Sequence, residues 1–105
     1  VNQQQCDGAM CDVMAIEPLV ERIAAFGISV VRVDGHRIAE LYEASEHPHP
    51  DTPLVVLAYT NPCQEIPLLE ERRPKLHYLR FKNTEEKGRY QAFLTELMSS
   101  GAWGK

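Results

Sequence analysis

Long apolar runs are missing from this sequence of 105 residues. The longest, "ISVV" and "PLVVLAY", fall far short of the roughly 20 residues a helix needs to cross a bilayer. No membrane role is expected. There is no basic, apolar leader with a small-residue cut site, so secretion is not expected either. Cysteine is scarce and odd in number, at Cys6, Cys11 and Cys63. An odd count fits a reduced, cytoplasmic setting better than a disulfide framework. No C-x2-C pair occurs, so these thiols with His77 have the wrong spacing for the usual zinc sites and read as free thiols. Internal repeats and low-complexity stretches are also missing. So is an initiator methionine, since the chain opens on Val1, which reads as a processed or cut chain.

What is present has the balance of a soluble globular domain. Hydrophobic residues make up 44% and charged residues 25%, with a net charge of -4. The length predicts one domain over 1–105. The charge is uneven. Arg72, Arg73, Lys75, Arg80 and Lys82 form a run with no acid inside it. The rest of the chain is strongly acidic, which argues against a nucleic-acid binder and leaves room for one local anion site. Tyr78 and Phe81 beside the run read as packing residues rather than a stacking platform.

Along the chain, Asp7-Gly8 reads as a turn. Ile16, Leu19, Val20, Ile23 and Ala24 recur at helical spacing over 16–26. Pro18 suits the first turn of that helix and Gly27 its stop. "ISVVRV" (28–33) is rich in β-branched residues and predicts a strand. "DGH" (34–36) is a turn that feeds a second helix, marked by Ile38, Leu41 and Tyr42, to about Glu46. Three prolines make 46–53 a loop. His47 and His49 there read as solvated rather than as a metal clamp. "LVVLAY" (54–59) is apolar throughout, the pattern of a strand covered on both faces. Residues 60–75 form a polar connection. "LHYLRFK" (76–82) alternates with period two and predicts a short extra strand. Tyr90, Phe93, Leu94, Leu97 and Met98 then mark an amphipathic helix. Thr84 and Lys87 give it only half a capping box, and "SSGAWGK" ends it. Helix–strand alternation predicts an α/β fold with a parallel sheet and flanking helices. Two strands alone are a poor sheet, so this is the pattern of an incomplete portion of a larger one.

"VNQQQCDG", "VMAIEPLVERIAAFGISVVRVDGHRIAEL", "TPLVVLAYT", "LHY" and "TEEKGRYQAFLTEL" follow one another in this order. Together they resemble transketolase, specifically the later half of the N-terminal, diphosphate-binding domain of transketolase-type thiamine-diphosphate enzymes. The resemblance covers nearly the whole chain and is most specific over 13–41. It implies a thiamine-diphosphate-binding fold, with residues 1–105 as its C-terminal portion. In that family a Gly-Asp-Gly motif lies well upstream of an Asn. The Asp, the Asn and a carbonyl two residues beyond it bind a divalent ion that grips the cofactor diphosphate. Asn2 matches the Asn and Gln4 the carbonyl donor. Oxygen ligands of this kind suit Mg2+. Cys6 matches a residue beside the cofactor ring. The matching Gly-Asp-Gly would lie before Val1.

The resemblance further implies transfer of a two-carbon unit from a ketose or keto acid to a sugar or carrier-bound acceptor. His77 matches a family histidine that reaches the active site, where it would act as a proton or hydrogen-bond partner; its bland alternative is packing. The family's following glycine is Tyr78 here. Cys63 and Glu65 stand in "NPCQEIP" where the family has alternate glycines over the cofactor. The upstream metal Asp and the separate pyrimidine-binding domain, with its activating glutamate, are not in this sequence. Activity is therefore expected only with a complementing transketolase-like chain or the missing domain. The basic run would meet a sugar phosphate or a carrier protein, or would be a solvated edge. The rival reading is a non-catalytic interaction or scaffold module derived from the same domain, which the lost loop glycines favour.

Overall fold

The computed structural model of the protein describes residues 1–101. The end of "SSGAWGK", from Ala102 onward, lies outside them. The first element is a small antiparallel hairpin, β1 (Gln4–Gln5) and β2 (Gly8–Ala9), with Gln4 opposite Ala9 and Gln5 opposite Gly8. Its turn is therefore centred on Cys6-Asp7, one residue earlier than Asp7-Gly8. Cys6 takes a φ of 53° there, in the left-handed region. Gly8 is held close to the next element, because a Cβ on it would stand 2.6 Å from Val13 Cγ2. That element is α1 (Met10–Val13), whose Met10 is buried.

The first predicted helix is real but shorter: α2 spans Leu19–Ala24. Pro18 has extended backbone angles and serves as its N-cap residue rather than its first turn. The capping acceptor comes from Glu17, whose Oε2 takes the Leu19 N–H at 2.8 Å. At the other end Gly27 has a φ of 75°, the left-handed stop that glycine accommodates without strain.

The centre of the molecule is β3 (Ser29–Asp34) and β4 (Leu54–Tyr59), paired in parallel from Ser29 opposite Leu54 to Asp34 opposite Tyr59. The ladder is extended at both ends by Ser29 N–H to the Pro53 carbonyl (3.1 Å) and Gly35 N–H to the Tyr59 carbonyl (2.7 Å). The crossover between the strands carries α3 (Ile38–Ser45). The expected mixed α/β arrangement, a parallel sheet with flanking helices, is thus present. Val33, Leu57 and Ala44 form its buried centre. The apolar face read for α3 differs from the one that packs: Ala44 is buried, whereas Ile38 and Tyr42 are exposed.

Beyond the sheet lie α4 (Pro67–Glu70) and α5 (Thr84–Ser99). The expected strand at 76–82 is not formed. The segment is irregular, with the Arg80 carbonyl bonded by Arg72 Nη2 (2.9 Å) and the Lys82 N–H by Glu86 Oε2 (2.5 Å). Period two alone makes no strand when backbone groups find side-chain partners instead of a ladder. The capping box also sits elsewhere. Asn83, not Thr84, is the N-cap of α5, and its Oδ1 accepts the Glu86 N–H at 2.8 Å. Side chains then bind α5 to α4 and the turn after it: Arg89 to Glu71 through two bonds of 2.6 and 3.0 Å, Arg72 to Glu86 at 2.8 Å, and the Tyr90 hydroxyl to the Leu68 carbonyl at 3.0 Å.

Candidate functional site

Parallel strands end together, and side chains from the loops after them converge on one edge, where open α/β sheets bind ligands. Here a cleft of about 890 Å³ opens beyond the C-terminal ends of β3 and β4. From β3 come Arg32 and Asp34, then His36. From β4 come Tyr59, Thr60 and Asn61, and from the opening hairpin Asn2 and Gln4.

The floor is tied together by local bonds. Asp34 Oδ1 takes the His36 N–H at 2.9 Å, which fixes the turn after β3. Glu40 Oε2 takes the Asp34 N–H at 2.9 Å, and its other oxygen pairs with Arg37 at 2.9 Å. His36 Nε2 accepts the Asn61 N–H at 2.7 Å, so the loops after the two strands are stitched to each other. This bond needs Nε2 without a proton, which leaves Nδ1 as the donor of the neutral ring. Asn61 Oδ1 accepts the Cys63 N–H at 3.0 Å and an Arg73 Nη2 bond. Arg73 also holds Glu70 through bonds of 2.5 and 3.3 Å. That guanidinium keeps the Glu70 carboxyl below the usual carboxylate range. Burial pushes the Cys63 thiol up, away from the thiolate form a nucleophile needs. On the opposite wall the Arg32 guanidinium lies 4.0 Å over the Tyr59 ring, and the Tyr59 hydroxyl donates to Glu17 Oε1 at 3.0 Å. Loss of solvent raises the Tyr59 phenol further above its ordinary value.

The residues expected from sequence divide into those inside the cleft and those outside it. Asn2 and Gln4 line it, and Asn2 Oδ1 takes the Gln4 N–H at 3.0 Å. Cys6 is exposed at the hairpin turn and does not line the cleft. His77 is not brought to it either. It is exposed in the irregular segment, with its ring edge-on to Tyr78 at 4.5 Å. The basic run is split. Arg73 reaches the cleft, and Arg72 is half-buried against Glu86, with its side chain 10% exposed. Lys75, Arg80 and Lys82 are exposed. Sequence reasoning set His36 and Asn61 aside as turn and loop residues. The available signal was position, since each directly follows a parallel strand.

As a cradle for a divalent ion, the chain's own donors fall short. A magnesium shell needs about six oxygens, with waters or substrate supplying those that protein does not. Asn2 offers one side-chain oxygen, already shared with Gln4 N–H. The nearby carboxylates of Asp34 and Glu40 are engaged with backbone N–H groups and Arg37. Among the described residues no three His, Cys, Asp or Glu side chains gather in a metal-holding group. The ion does not fit these residues alone.

No family model matches the chain, and no solved structure matches it. Among curated proteins, an uncharacterized transketolase family protein of Sinorhizobium fredii is 37% identical over 89 residues, 81% of this chain. That similarity supports a transketolase-family relationship. The chain spans about a third of the relative's length, 31%. Among the described residues no helix is long and apolar enough to cross a membrane.

Proposed function

We propose that this chain is one part of a thiamine-diphosphate-dependent, transketolase-like transferase of the cytoplasm, which moves a two-carbon unit from a ketose or keto acid to a sugar or carrier-bound acceptor. The observation that carries the reading is the placement of Asn2 and Gln4 in the cleft at the ends of two parallel strands. The similarity to the Sinorhizobium protein supports it. Asn2 and Gln4 would contribute oxygen donors toward the Mg2+ of the cofactor diphosphate, and the remaining ligands would come from the part that completes the enzyme. His36, Asn61 and Arg73 hold the two strand-end loops in fixed relation. Lys75, Arg80 and Lys82, exposed beyond them, are the side chains of the basic run available to a phosphate or an acidic carrier face.

The test uses calorimetry with thiamine diphosphate and magnesium. Residues 1–105 alone should give no binding heat. A chimera of the Sinorhizobium protein, with its matched third replaced by this chain, should bind as its parent does. Asn2→Ala in the chimera should weaken binding at least tenfold, the loss of roughly 1.4 kcal/mol expected when a charged-site oxygen goes. Tight binding by the isolated chain would refute the incomplete-site argument. Failure of both parent and chimera to bind would refute the cofactor. A second reading, a non-catalytic scaffold, is favoured by Cys63 and Glu65. Cys63 fills space in the core where a glycine would leave backbone open to a ligand. Binding by the chimera would exclude it.

A further inference from the structure

The loops that leave β3 and β4 start from the same edge of the sheet and meet closely. Gly35 allows the approach. A Cβ on it would stand 2.6 Å from Thr60 Cγ2 and 3.1 Å from the Tyr59 carbonyl oxygen. The Gly35 N–H donates to that carbonyl at 2.7 Å. One residue further on, backbone pairing between the loops ends and a side chain takes over: His36 Nε2 accepts the Asn61 N–H at 2.7 Å. Asn61 in turn gathers the chain behind it, since its Oδ1 accepts from the Cys63 N–H and from Arg73. The acceptor is of a special kind. A ring nitrogen of histidine accepts only while it carries no proton, and in imidazolium both nitrogens are donors. His36 is exposed, so solvent protons reach its ring, whereas Asn61 is half-buried.

We propose that His36 is a pH-operated latch on the cleft, which clasps the loop after β4 when the ring is neutral and releases it when the ring is charged. Protonation puts an N–H where the lone pair was, and two donors then face each other across what was a bond. Either the ring turns away or Asn61 moves, and the Asn61 N–H loses its partner. The Gly35–Tyr59 bond does not titrate and keeps the loop after β3 on the sheet. The part set free is therefore the loop that starts at Asn61, with its links to Cys63 and Arg73. Charged and titratable groups surround the ring. Arg32 and Asp34 come from β3, Tyr59 from β4, Arg37 and Glu40 from α3 and the turn before it, Arg73 from the stretch after α4, and the Val1 amino group from ahead of the hairpin. Carboxyl, guanidinium, phenol and amino groups ordinarily keep one charge between about pH 5 and 7. An imidazole changes its charge there. The bond is thus present at neutral pH and lost as pH falls through that window. The inference needs only the two loops, so it stands whether or not the enzymatic reading does.

The test follows the Asn61 amide by NMR between about pH 7 and pH 5, in residues 1–105 or, if these are unfolded alone, in the chimera with the Sinorhizobium protein. Carbon-bound ring protons of His36 report its titration, and the amide of Asn83, at the start of α5, serves as reference. Hydrogen-exchange protection at Asn61, taken against an unstructured peptide at the same pH, should fall roughly fivefold or more, the worth of one hydrogen bond. The fall should share its midpoint with the His36 ring. His36→Gln offers an oxygen acceptor that does not titrate, so protection should stay high at both ends of the range. His36→Ala should show the low value throughout. Protection at Asn61 that ignores pH in the unsubstituted protein overturns the latch. So does an equal fall in His36→Gln, which assigns the change to another group, or a fall shared by Asn83, which makes it general unfolding. If the alanine variant does not fold, the unsubstituted and glutamine proteins decide between them.

Discussion

Glu65 has a φ of 60°, in a region that a residue with a Cβ enters at a cost of about 1–2 kcal/mol. This is one of the two positions where the transketolase pattern has glycine, so the backbone keeps the shape while the side chain has changed. Glu65→Gly should stabilise the fold by up to about 1 kcal/mol in urea unfolding, the relief of strain being partly offset by glycine's greater freedom when unfolded. A loss of stability would show that the glutamate side chain holds the loop. Cys63, two residues earlier, is the opposite case, since its side chain is buried and its removal would leave a void. At this scale the site was half legible. Asn2 and Gln4 could be read from "VNQQQCDG" because the resemblance assigned their chemistry. His36 and Asn61 could not, because their relation is a bond between loops 25 residues apart, and no local pattern encodes it.

The elements were legible where one physical preference dominated. "ISVVRV" and "LVVLAY" declare themselves as strands through β-branched and apolar content, and their parallel pairing follows from the helix between them. Helix ends were less legible because capping depends on which of two adjacent polar residues turns inward. Thr84 was the expected cap of α5, and Asn83 is the actual one. Asn83→Ala should therefore lower stability by about 1 kcal/mol in thermal unfolding, and Thr84→Ala by much less. Equal losses would return the cap to Thr84. The segment 76–82 shows the limit of periodicity. Leu79 and Phe81 alternate with Arg80 and Lys82 as a strand would, but Glu86 and Arg72 claim the backbone first.

Seen whole, the molecule is spread out, with a radius of gyration of 17.8 Å where a compact domain of this length has about 13 Å. The α4–α5 unit is held by side-chain pairs, and these depend on charge. Glu71 is held below the ordinary carboxylate value of 4.5 by hydrogen bonding to Arg89, and Glu86 by the Lys82 N–H and then Arg72. A folded-state value below the unfolded one means that the contribution is full above about pH 4.5 and disappears as pH falls through the lowered values. Acid should therefore loosen α5, and high salt should shrink the part of the acid effect that comes from the exposed Glu71–Arg89 pair. Circular dichroism across a pH series at two salt concentrations checks this. Helix loss setting in well above the carboxylate range would assign it to another group. Tyr59 carries a different consequence. Its ring walls the cleft, and its hydroxyl steadies the Glu17 carboxylate that caps α2. Whatever turns that ring on entering the cleft takes the hydroxyl from Glu17, and so speaks to the first turn of a helix that never touches the visitor.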